Sequence, residues 1–321
     1  MRKIVKGILG VVGGLLLVGI GGVVVKFYAL SPKVRPAAEM HAPTDPASIE
    51  HGKYLARYVM QCTTCHSEIV PNTPGDVPVE ASLGKGRFMA NIKGMGKICA
   101  SNITPDKETG VGNMTDGELV RSMREGIGKN GNALNPLMPY ASWKETLSDS
   151  DALAIVAYLK TIPAIKNEPC KSELDFPLSL IVRILPAPVE KAPPPAPVAG
   201  IERGKWLLKV AQCETCHNTF DDHHQPVPGH YLAGAMPFDL ENGSKVYAPN
   251  LTADPATGIG RHSDDDLMKA FDKGVSKDGR PLYEMPWAQI QKMTDDDKKA
   301  IILALRQVPA VNHTVPKNEM K

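Results

Sequence analysis

The chain has 321 residues, which is enough for two domains of ordinary size, each with its own core. Its formal charge is only +2, from 37 basic and 35 acidic residues, so no broad electrostatic field favours nucleic acid as a partner. Aromatic residues make up 5% of the chain, whereas glycine and proline number 28 each. This composition predicts long loops, wrapped around a core that is filled partly by something other than aromatic side chains.

The N-terminus carries basic residues followed by an uncharged apolar run over residues 7–25. A cleaved signal peptide and an uncleaved anchor share this pattern, but the apolar stretch of a signal peptide is usually only about 7–15 residues long. The longer run favours an anchor over residues 1–30, a single transmembrane helix in a bacterial inner membrane. Gly10 and Gly14 stand at GxxxG spacing, which indicates a face for packing in a membrane complex. Residues 31–47, rich in proline and alanine, are predicted to be a spacer.

One module is duplicated along the chain. Residues 49–55 reappear as residues 201–207, and each segment stands shortly before a Cys-x-x-Cys-His motif. The pairs that then follow in the same order are Asn102-Ile103-Thr104 and Asn250-Leu251-Thr252, Thr109-Gly110-Val111-Gly112 and Thr257-Gly258-Ile259-Gly260, Met138-Pro139 and Met285-Pro286, and Ile162-Pro163 and Val308-Pro309. A repeat of fixed order predicts two similar domains, which we place at residues 48–170 and 200–314.

The segment between the two copies, residues 171–199, is predicted to be a linker. Its proline-rich part, residues 186–197, favours an extended and semi-rigid polyproline conformation. The apolar stretch at residues 176–185 is too short to cross a membrane. We interpret that stretch as a short helix or strand that docks on a domain surface or on a partner.

The local signals within each copy are helical, and clear strand alternation is absent. Thr115 and Ser263 precede acidic residues in the manner of helix N-caps, and the helices they begin are predicted to stop at Gly126 and Gly274. Cap chemistry accounts for these acidic residues without a functional role. We therefore predict an all-α fold, in which two tandem helical domains with long loops follow a single N-terminal transmembrane helix.

The duplicated cysteine motifs have the spacing at which c-type haem is attached. They are Cys62-Thr63-Thr64-Cys65-His66 and Cys213-Glu214-Thr215-Cys216-His217. In a helical turn of this kind the two thiols reach the two vinyl groups of one porphyrin, and the adjacent histidine reaches its iron. A lone Cys-x-x-Cys pair also occurs as a redox dithiol or as half of a zinc site. Two copies that both include the histidine favour two covalently attached haem c groups, with His66 and His217 as axial ligands.

Met138 and Met285 are the candidates for the second axial ligand in each copy. Most methionines fill cores, but these two occupy matching repeat positions, and the proline after each one stiffens the loop that would aim the side chain. Axial ligation by histidine and methionine raises the reduction potential and leaves no open position on the iron. The pair His223-His224 and His230 could instead bind a metal or exchange onto haem, although such histidines more often belong to a polar loop.

The order of these motifs resembles the class I cytochrome c domains in the cytochrome subunits of periplasmic alcohol, gluconate and sorbitol dehydrogenases. The shared pattern is Gly-Lys-aromatic-Leu before Cys-x-x-Cys-His, then Asn-Ile-Thr-Pro-Asp with Thr-Gly-x-Gly, then Met-Pro-Tyr and Ala-Tyr-Leu-Lys-x-Ile-Pro. It covers about residues 48–312. The resemblance implies that the first helix of each copy crosses the last one, at Gly52 near Tyr158 and at Gly204 near Ala304. Those subunits usually carry three haem domains and a C-terminal membrane helix, so their partner enzyme is not carried over.

Cys99 and Cys170, both in the first copy, remain outside the haem motifs. In a compartment that allows covalent haem attachment and disulfides, an even leftover pair most often forms a bridge, so we predict a disulfide between them. The alternative makes Cys99 a thiolate ligand of haem iron, as would suit a thiosulfate-oxidising cytochrome. That role would compete with Met138, whose motif is intact.

Together these features predict a membrane-anchored dihaem c-type cytochrome in the periplasm. It would pass single electrons from a dehydrogenase or a quinol-oxidising complex to a terminal acceptor, without catalytic residues of its own. One alternative is a dihaem enzyme, such as a peroxidase or a thiosulfate dehydrogenase, which needs an iron with open or unusual coordination. Another is a structural haem subunit of a larger respiratory or photosynthetic complex, which would use the glycine-rich helix and residues 176–185 as contacts.

Overall fold

The computed structural model describes residues 2–25, 32, 34–71, 73–222, 225–240 and 242–321, with the side chains of residues 2–5 and 8–9 outside the described part. The helices are α1 Arg2–Val24, α2 Pro46–Tyr54, α3 Cys62–Cys65, α4 Asp116–Glu125, α5 Tyr140–Thr146, α6 Asp149–Leu159, α7 Leu178–Ile181, α8 Gly200–Val210, α9 Cys213–His217, α10 Asp264–Lys273, α11 Trp287–Ile290 and α12 Asp295–Leu305. The strands are β1 Arg87–Ile92, β2 Gly96–Ala100, β3 Glu173–Leu174, β4 Pro237–Asp239 and β5 Lys245–Tyr247. The two copies of the repeat thus contain the same order of elements.

In each copy the first and last helices cross at a glycine. A Cβ atom on Gly52 would lie 1.8 Å from the backbone oxygen of Ala154, and one on Gly204 would lie 1.9 Å from the backbone oxygen of Ala300. Because no side chain fits at such distances, α2 packs directly on the backbone of α6, and α8 on that of α12. The crossing in the second copy also includes Ala304, as the resemblance implied, and the crossing in the first copy lies at the equivalent position, Ala154, one helical turn before Tyr158.

The helix boundaries follow the capping signals in the sequence. Thr115 accepts a hydrogen bond from the backbone N–H of Glu118, whose carboxylate accepts one from the backbone N–H of Thr115. Ser263 forms the same reciprocal box at the start of α10. Gly126 and Gly274 end the two helices with φ of 71° and 62°, in the left-handed region where glycine carries no steric penalty. These predicted starts and stops are confirmed.

The all-α prediction is wrong, because the loops after both attachment motifs form small antiparallel sheets. β1, β2 and β3 make one sheet in that order, and β4 and β5 make the other. The strand β3 pairs Leu174 with Gly96, and a Cβ on this glycine would lie 2.2 Å from the backbone oxygen of Glu173. Local alternation does not predict such a sheet, because its partners are distant in sequence.

The prediction of a single N-terminal membrane span is also wrong. The predicted anchor, residues 1–30, falls partly outside the described residues, which include α1. Among the residues that the structure describes, no helix is long and apolar enough to cross a membrane.

One inserted residue distinguishes the first copy from the second between the helical glycine and the first cysteine. The insertion is absorbed by a π-helical turn over Leu55–Val59, in which the backbone N–H of Met60 donates to the carbonyl of Leu55 at 2.7 Å. The corresponding part of the second copy continues as the regular helix α8. The wider turn therefore keeps both the helix crossing at Gly52 and the attachment motif in place.

The two copies pack on each other reciprocally. The helix α5, which follows the methionine motif of the first copy, contacts α8, which precedes the cysteine motif of the second copy. In the same way α11 of the second copy contacts the π-helical turn of the first. Trp143 donates its indole N–H to the carbonyl of Val210 at 3.0 Å, and Trp206 donates to the carbonyl of Thr146 at 2.8 Å. One continuous apolar core therefore runs through both copies.

The segments before and between the copies lie along the first copy. The carboxylate of Glu125, at the end of α4, accepts hydrogen bonds from the guanidinium of Arg35 at 3.1 Å and from the backbone N–H of Val189 at 2.9 Å. The carboxylate of Asp116 accepts one from the backbone N–H of Ala42 at 2.7 Å. The predicted spacer is thus held at both ends of α4, and the predicted linker at its C-terminal end.

Candidate functional site

Each Cys-x-x-Cys-His motif begins a short helix directly after a residue in the left-handed backbone region. Gln61 has φ 55° and ψ 33°, and Gln212 has φ 62° and ψ 29°. This conformation is uncommon for a residue with a side chain, and it turns the chain sharply from the preceding helix into α3 or α9. The cysteines of the motifs carry free thiols, of which Cys65 is exposed and Cys62, Cys213 and Cys216 are partly buried.

The thiols of both motifs are protonated in their surroundings. Burial raises the pKa of Cys62 and Cys213 to about 12, and that of Cys216 to about 11. A redox dithiol needs a lowered pKa, because the thiolate is the reactive form. Within the described residues, no group of three or more histidine, cysteine and acidic side chains is arranged to hold a metal ion. The raised pKa values of the thiols therefore disfavour the redox-dithiol alternative.

In both motif histidines, the ring nitrogen Nδ1 is hydrogen-bonded to a backbone carbonyl. Nδ1 of His66 lies 2.6 Å from the backbone oxygen of Ser101, and Nδ1 of His217 lies 3.0 Å from that of Pro249. Because a carbonyl oxygen only accepts, Nδ1 carries the proton in both rings and Nε2 keeps its lone pair. Histidine ligands of metals are oriented by this kind of bond. Each ring is thus in the tautomer that an axial iron ligand requires.

The surroundings also keep the two histidines neutral and fixed. Burial lowers the pKa of His66 and of His217, and Arg87 lowers that of His66 further, although the bonds to the carbonyl groups oppose these effects. The backbone carbonyl of His66 accepts from the N–H of Gly86 at 2.8 Å, and that of His217 accepts from the N–H of Gly234 at 2.7 Å. The neutral imidazole is the form that binds a metal.

Two buried asparagines hold the loops that supply the carbonyl acceptors. Asn102 follows Ser101 and donates its side-chain amide to the carbonyl of Ile165 at 2.8 Å. Asn250 follows Pro249 and donates to the carbonyl of Val311 at 2.9 Å. The sequence shows these asparagines as part of a repeated Asn-x-Thr triplet, but their role in positioning the histidine acceptors was missed. The repetition of this triplet in both copies was the signal from which that role could have been predicted.

The candidate methionines occupy equivalent positions before the short helices α5 and α11. The carbonyl of Met138 accepts from the backbone N–H of Tyr140 at 2.8 Å, and that of Met285 accepts from the N–H of Trp287 at 2.7 Å. Each methionine thus lies in a tight turn closed across its proline. The motif residues packed in common against the apolar core are Cys62, Met138, Cys213 and Met285.

Several buried polar atoms around these motifs have no hydrogen-bond partner within the chain. Among those in the described residues are Nε of Arg87, Nδ2 of Asn135 and the hydroxyl of Tyr140 in the first copy, and Nε1 of Trp287 in the second. Buried polar groups are nearly always paired. Unpaired polar atoms beside free cysteines and an oriented histidine fit a bound group that brings its own acceptors, such as the carboxylates of a porphyrin. The residues present therefore fit haem c.

The two remaining cysteines are joined by a disulfide. The Cα atoms of Cys99 and Cys170 lie 5.7 Å apart, and the bond ties β2 to the segment that leads into β3. A cysteine in a disulfide has no thiolate to offer to iron. Of the histidines considered as alternatives, His223 and His224 lie outside the described residues, and the ring of His230 packs edge-on against that of His313, with centroids 5.5 Å apart.

Comparison with known proteins shows which proteins the chain is similar to. No family model matches it. It is 30% identical over 295 residues to the fructose dehydrogenase cytochrome subunit of Gluconobacter japonicus, covering 87% of this chain and 56% of that protein. It is 32% identical over 285 residues to the gluconate 2-dehydrogenase cytochrome c subunit of Pantoea cypripedii, covering 82% and 60%. It is 23% identical over 256 residues to a diheme cytochrome c-type protein of Cereibacter sphaeroides, covering 78% and 82%. The chain thus spans less than two thirds of the length of the two dehydrogenase subunits.

Proposed function

We propose, on the premise that the homologues of this chain are cytochrome c subunits of dehydrogenases and a dihaem cytochrome c, that it is an electron-transfer subunit with two haem c groups. The homology supports covalently bound haem c and electron transfer in a cytochrome subunit. The number of two rests on the duplicated motifs. In this proposal residues 48–170 and 200–314 form the two haem domains, and residues 171–199 form the linker between them.

The observation that carries the proposal is the equivalent orientation of His66 and His217. Both rings direct Nδ1–H to a backbone carbonyl and keep the lone pair of Nε2 for iron, beside two unpaired thiols. Cys62 and Cys65 would form the thioether bonds of the first group, and Cys213 and Cys216 those of the second. Met138 and Met285 would complete the axial ligation.

The residues of the chain perform binding, orientation and exclusion of water. Haem c, when bound, supplies an iron centre that exchanges one electron at a time. The tight turns at Met138 and Met285 would hold the methionine sulfurs in place for the iron. The surrounding apolar core would disfavour the charged ferric state. The unpaired polar atoms of Arg87, Asn135 and Tyr140 are available to the porphyrin carboxylates of the first site. Neither site requires a catalytic side chain.

The carrier function is favoured over a dihaem enzyme. A peroxidase or a thiosulfate dehydrogenase needs an iron with an open or unusual ligand, whereas both copies keep a methionine in the same tight turn. The disulfide removes Cys99 as an unusual ligand of the first site. Covalent haem attachment and a disulfide both suit an oxidising compartment, so we place the two domains in the periplasm.

The partners in this proposal are a donor dehydrogenase or quinol-oxidising complex and an electron acceptor. The surface that favours contact with a partner subunit lies at residues 176–185, where Phe176 is 79% exposed and Ile184 is 47% exposed. Large apolar side chains exposed together often mark protein contact sites. A role as a structural subunit of a larger complex is compatible with electron transfer through the same chain.

The test is the haem content and ligation of the purified protein. We expect two haems per chain, a c-type spectrum on reduction, and a methionine-to-iron charge-transfer band near the red edge of the oxidised spectrum. Met138→Ala and Met285→Ala should each open one site to carbon monoxide, whereas Met268→Ala, which removes a methionine outside these turns, should not. Peroxide turnover together with loss of the band from one haem, or carbon monoxide exclusion by both ligand variants, would reject the carrier.

A further inference from the structure

A turn of the first copy lies against the methionine motif of the second. A Cβ atom on Gly75 would lie 2.9 Å from Nε1 of Trp287, 3.0 Å from its Cε2 and 3.1 Å from Cβ of Ala288. The side-chain amide of Gln289 is 3.4 Å from the backbone oxygen of Asp76, to which it donates. The turn therefore contacts three successive residues at the start of α11.

The turn has an unusual backbone. Gly75 has φ 88° and Asp76 has φ 51°, so two successive residues occupy the left-handed region, the second of them with a side chain. Such backbone persists only where the surrounding structure holds it. Asp76 is held on its carbonyl side by Gln289 of the other copy. The close approach to Trp287 thus depends on a glycine at position 75.

Trp287 contacts one glycine of each copy. A Cβ on Gly274, at the end of α10, would lie 2.3 Å from the indole ring, so the ring packs on the backbone of its own copy. The other contact comes from Gly75 of the first copy. The indole N–H is buried without a partner in the chain, so no hydrogen bond within the chain fixes its position. Tyr140 occupies this place in the first copy and packs its ring on Gly126, 2.7 Å from a Cβ placed there.

Movement of Trp287 would be passed directly to Met285. The two residues flank Pro286, and the backbone N–H of Trp287 donates to the carbonyl of Met285 at 2.7 Å. Proline restricts the rotation of the segment between them. A displaced indole would therefore tilt the turn that aims the methionine sulfur.

We infer that the Gly75-Asp76 turn of the first copy is a positioning element for the second site, because it holds Trp287 and thereby fixes Met285. The inference rests on the proposed function, in which Met285 is an iron ligand. It makes the axial ligation of one site depend on the folded state of the other copy. The site of the second copy would then acquire its full ligand set only after the first copy has folded and packed against it.

The experiment compares Gly75→Ala with Gly94→Ala in the haem-loaded protein. Both glycines have positive φ, 88° and 80°, but nothing lies within 4 Å of a Cβ placed on Gly94. The control therefore contains the backbone strain without the contact. Each change is made in a Met138→Ala background, where the charge-transfer band reports only Met285, and in a Met285→Ala background, where it reports only Met138.

We expect Gly75→Ala to weaken the band in the Met138→Ala background and to leave it intact in the Met285→Ala background, with no loss in either background from Gly94→Ala. Trp287→Tyr, which keeps a ring over Gly274 but shortens the reach to Gly75, should weaken the same band if Gly75→Ala fails to fold. An unchanged band in Gly75→Ala and Trp287→Tyr would overturn the inference. A band that survives in the double variant Met138→Ala, Met285→Ala would instead reject the ligand assignment itself.

Discussion

Tyr54 of the first copy donates its hydroxyl to the carboxylate of Asp297 in the second copy at 2.7 Å. The same carboxylate accepts two bonds from Arg203 of its own copy, at 2.8 and 2.7 Å. Burial and the neighbouring carboxylate raise the pKa of Tyr54 to about 12, so the phenol stays protonated and remains a donor. One buried carboxylate therefore joins the two copies.

Tyr54→Phe should weaken the association of the two copies. The change removes a hydrogen bond to a charged group, and we expect a loss of about 1.5–3 kcal/mol in the free energy of unfolding. Urea denaturation with near-ultraviolet circular dichroism would measure it. Tyr247→Phe is the control, because that hydroxyl donates at 3.3 Å to an exposed carboxylate within one copy. Equal stability of the two variants would contradict the interpretation of Tyr54 as an interface residue.

Gly52→Ala and Gly204→Ala should each prevent the helix crossing of one copy. The added methyl group would overlap the backbone oxygen of Ala154 or Ala300, which cannot rotate away. Overpacking usually costs about 1–3 kcal/mol, and a clash with backbone should lie at or beyond the upper end of that range. Thermal unfolding measures the loss. Gly10→Ala, in a helix where nothing lies within 4 Å of the added atom, should not destabilise the protein.

The stability of the first copy should fall in acid through Asp151. Burial opposes ionisation of this carboxyl, but hydrogen bonds from His51 and Ser148, with the positive charges of His51 and Arg203, lower its pKa in the folded protein. A lowered folded pKa contributes stability above the unfolded value, near 3.9, and that contribution is lost as the pH falls through the folded pKa.

Asp151→Asn should therefore lose less unfolding free energy than the wild type as the pH is lowered below about 4. Chemical denaturation at a series of pH values measures the two slopes. The exposed substitution Asp278→Asn is the control and should follow the wild-type slope. Parallel curves for Asp151→Asn and the wild type would show that the carboxyl does not link folding to pH.

The double variant Cys99→Ser, Cys170→Ser should be less stable than the wild type, but the oxidised spectra of both haems should be unchanged. The bond closes a loop with a sequence separation of 71 residues, and removing such a bond typically costs about 2–4 kcal/mol. Denaturation gives the stability, and the oxidised spectrum gives the ligation. A change in the charge-transfer band of the first site would favour the alternative in which Cys99 interacts with iron.

The helices could be predicted from the sequence because their signals are local. Thr115, three residues before Glu118, is enough to specify a capping box, and Gly126 is enough to end the helix. The sheets could not be predicted in this way. Leu174 pairs with Gly96 across most of the first copy, so their proximity depends on the packing of everything between them.

The attachment motifs could be predicted because the cysteines and the histidine of each motif lie in one contiguous segment. The hydrogen-bond partners of the two motif histidines could not be predicted, because the acceptors are backbone carbonyls, which any residue at position 101 or 249 supplies. The hydrogen bond from Trp143 to Val210 could not be predicted for the same reason, because its acceptor is also a backbone carbonyl. Side-chain identity predicts a site well when side chains form it, and poorly when the main chain does.

The π-helical turn over Leu55–Val59 has a practical consequence for recognising such modules. A helix that takes up an extra residue lets the distance between Gly52 and Cys62 differ from that between Gly204 and Cys213, while the geometry at both ends is kept. A search pattern with a fixed gap between these landmarks would detect one half of this chain and overlook the other. Patterns for tandem modules of this kind should therefore leave that gap variable.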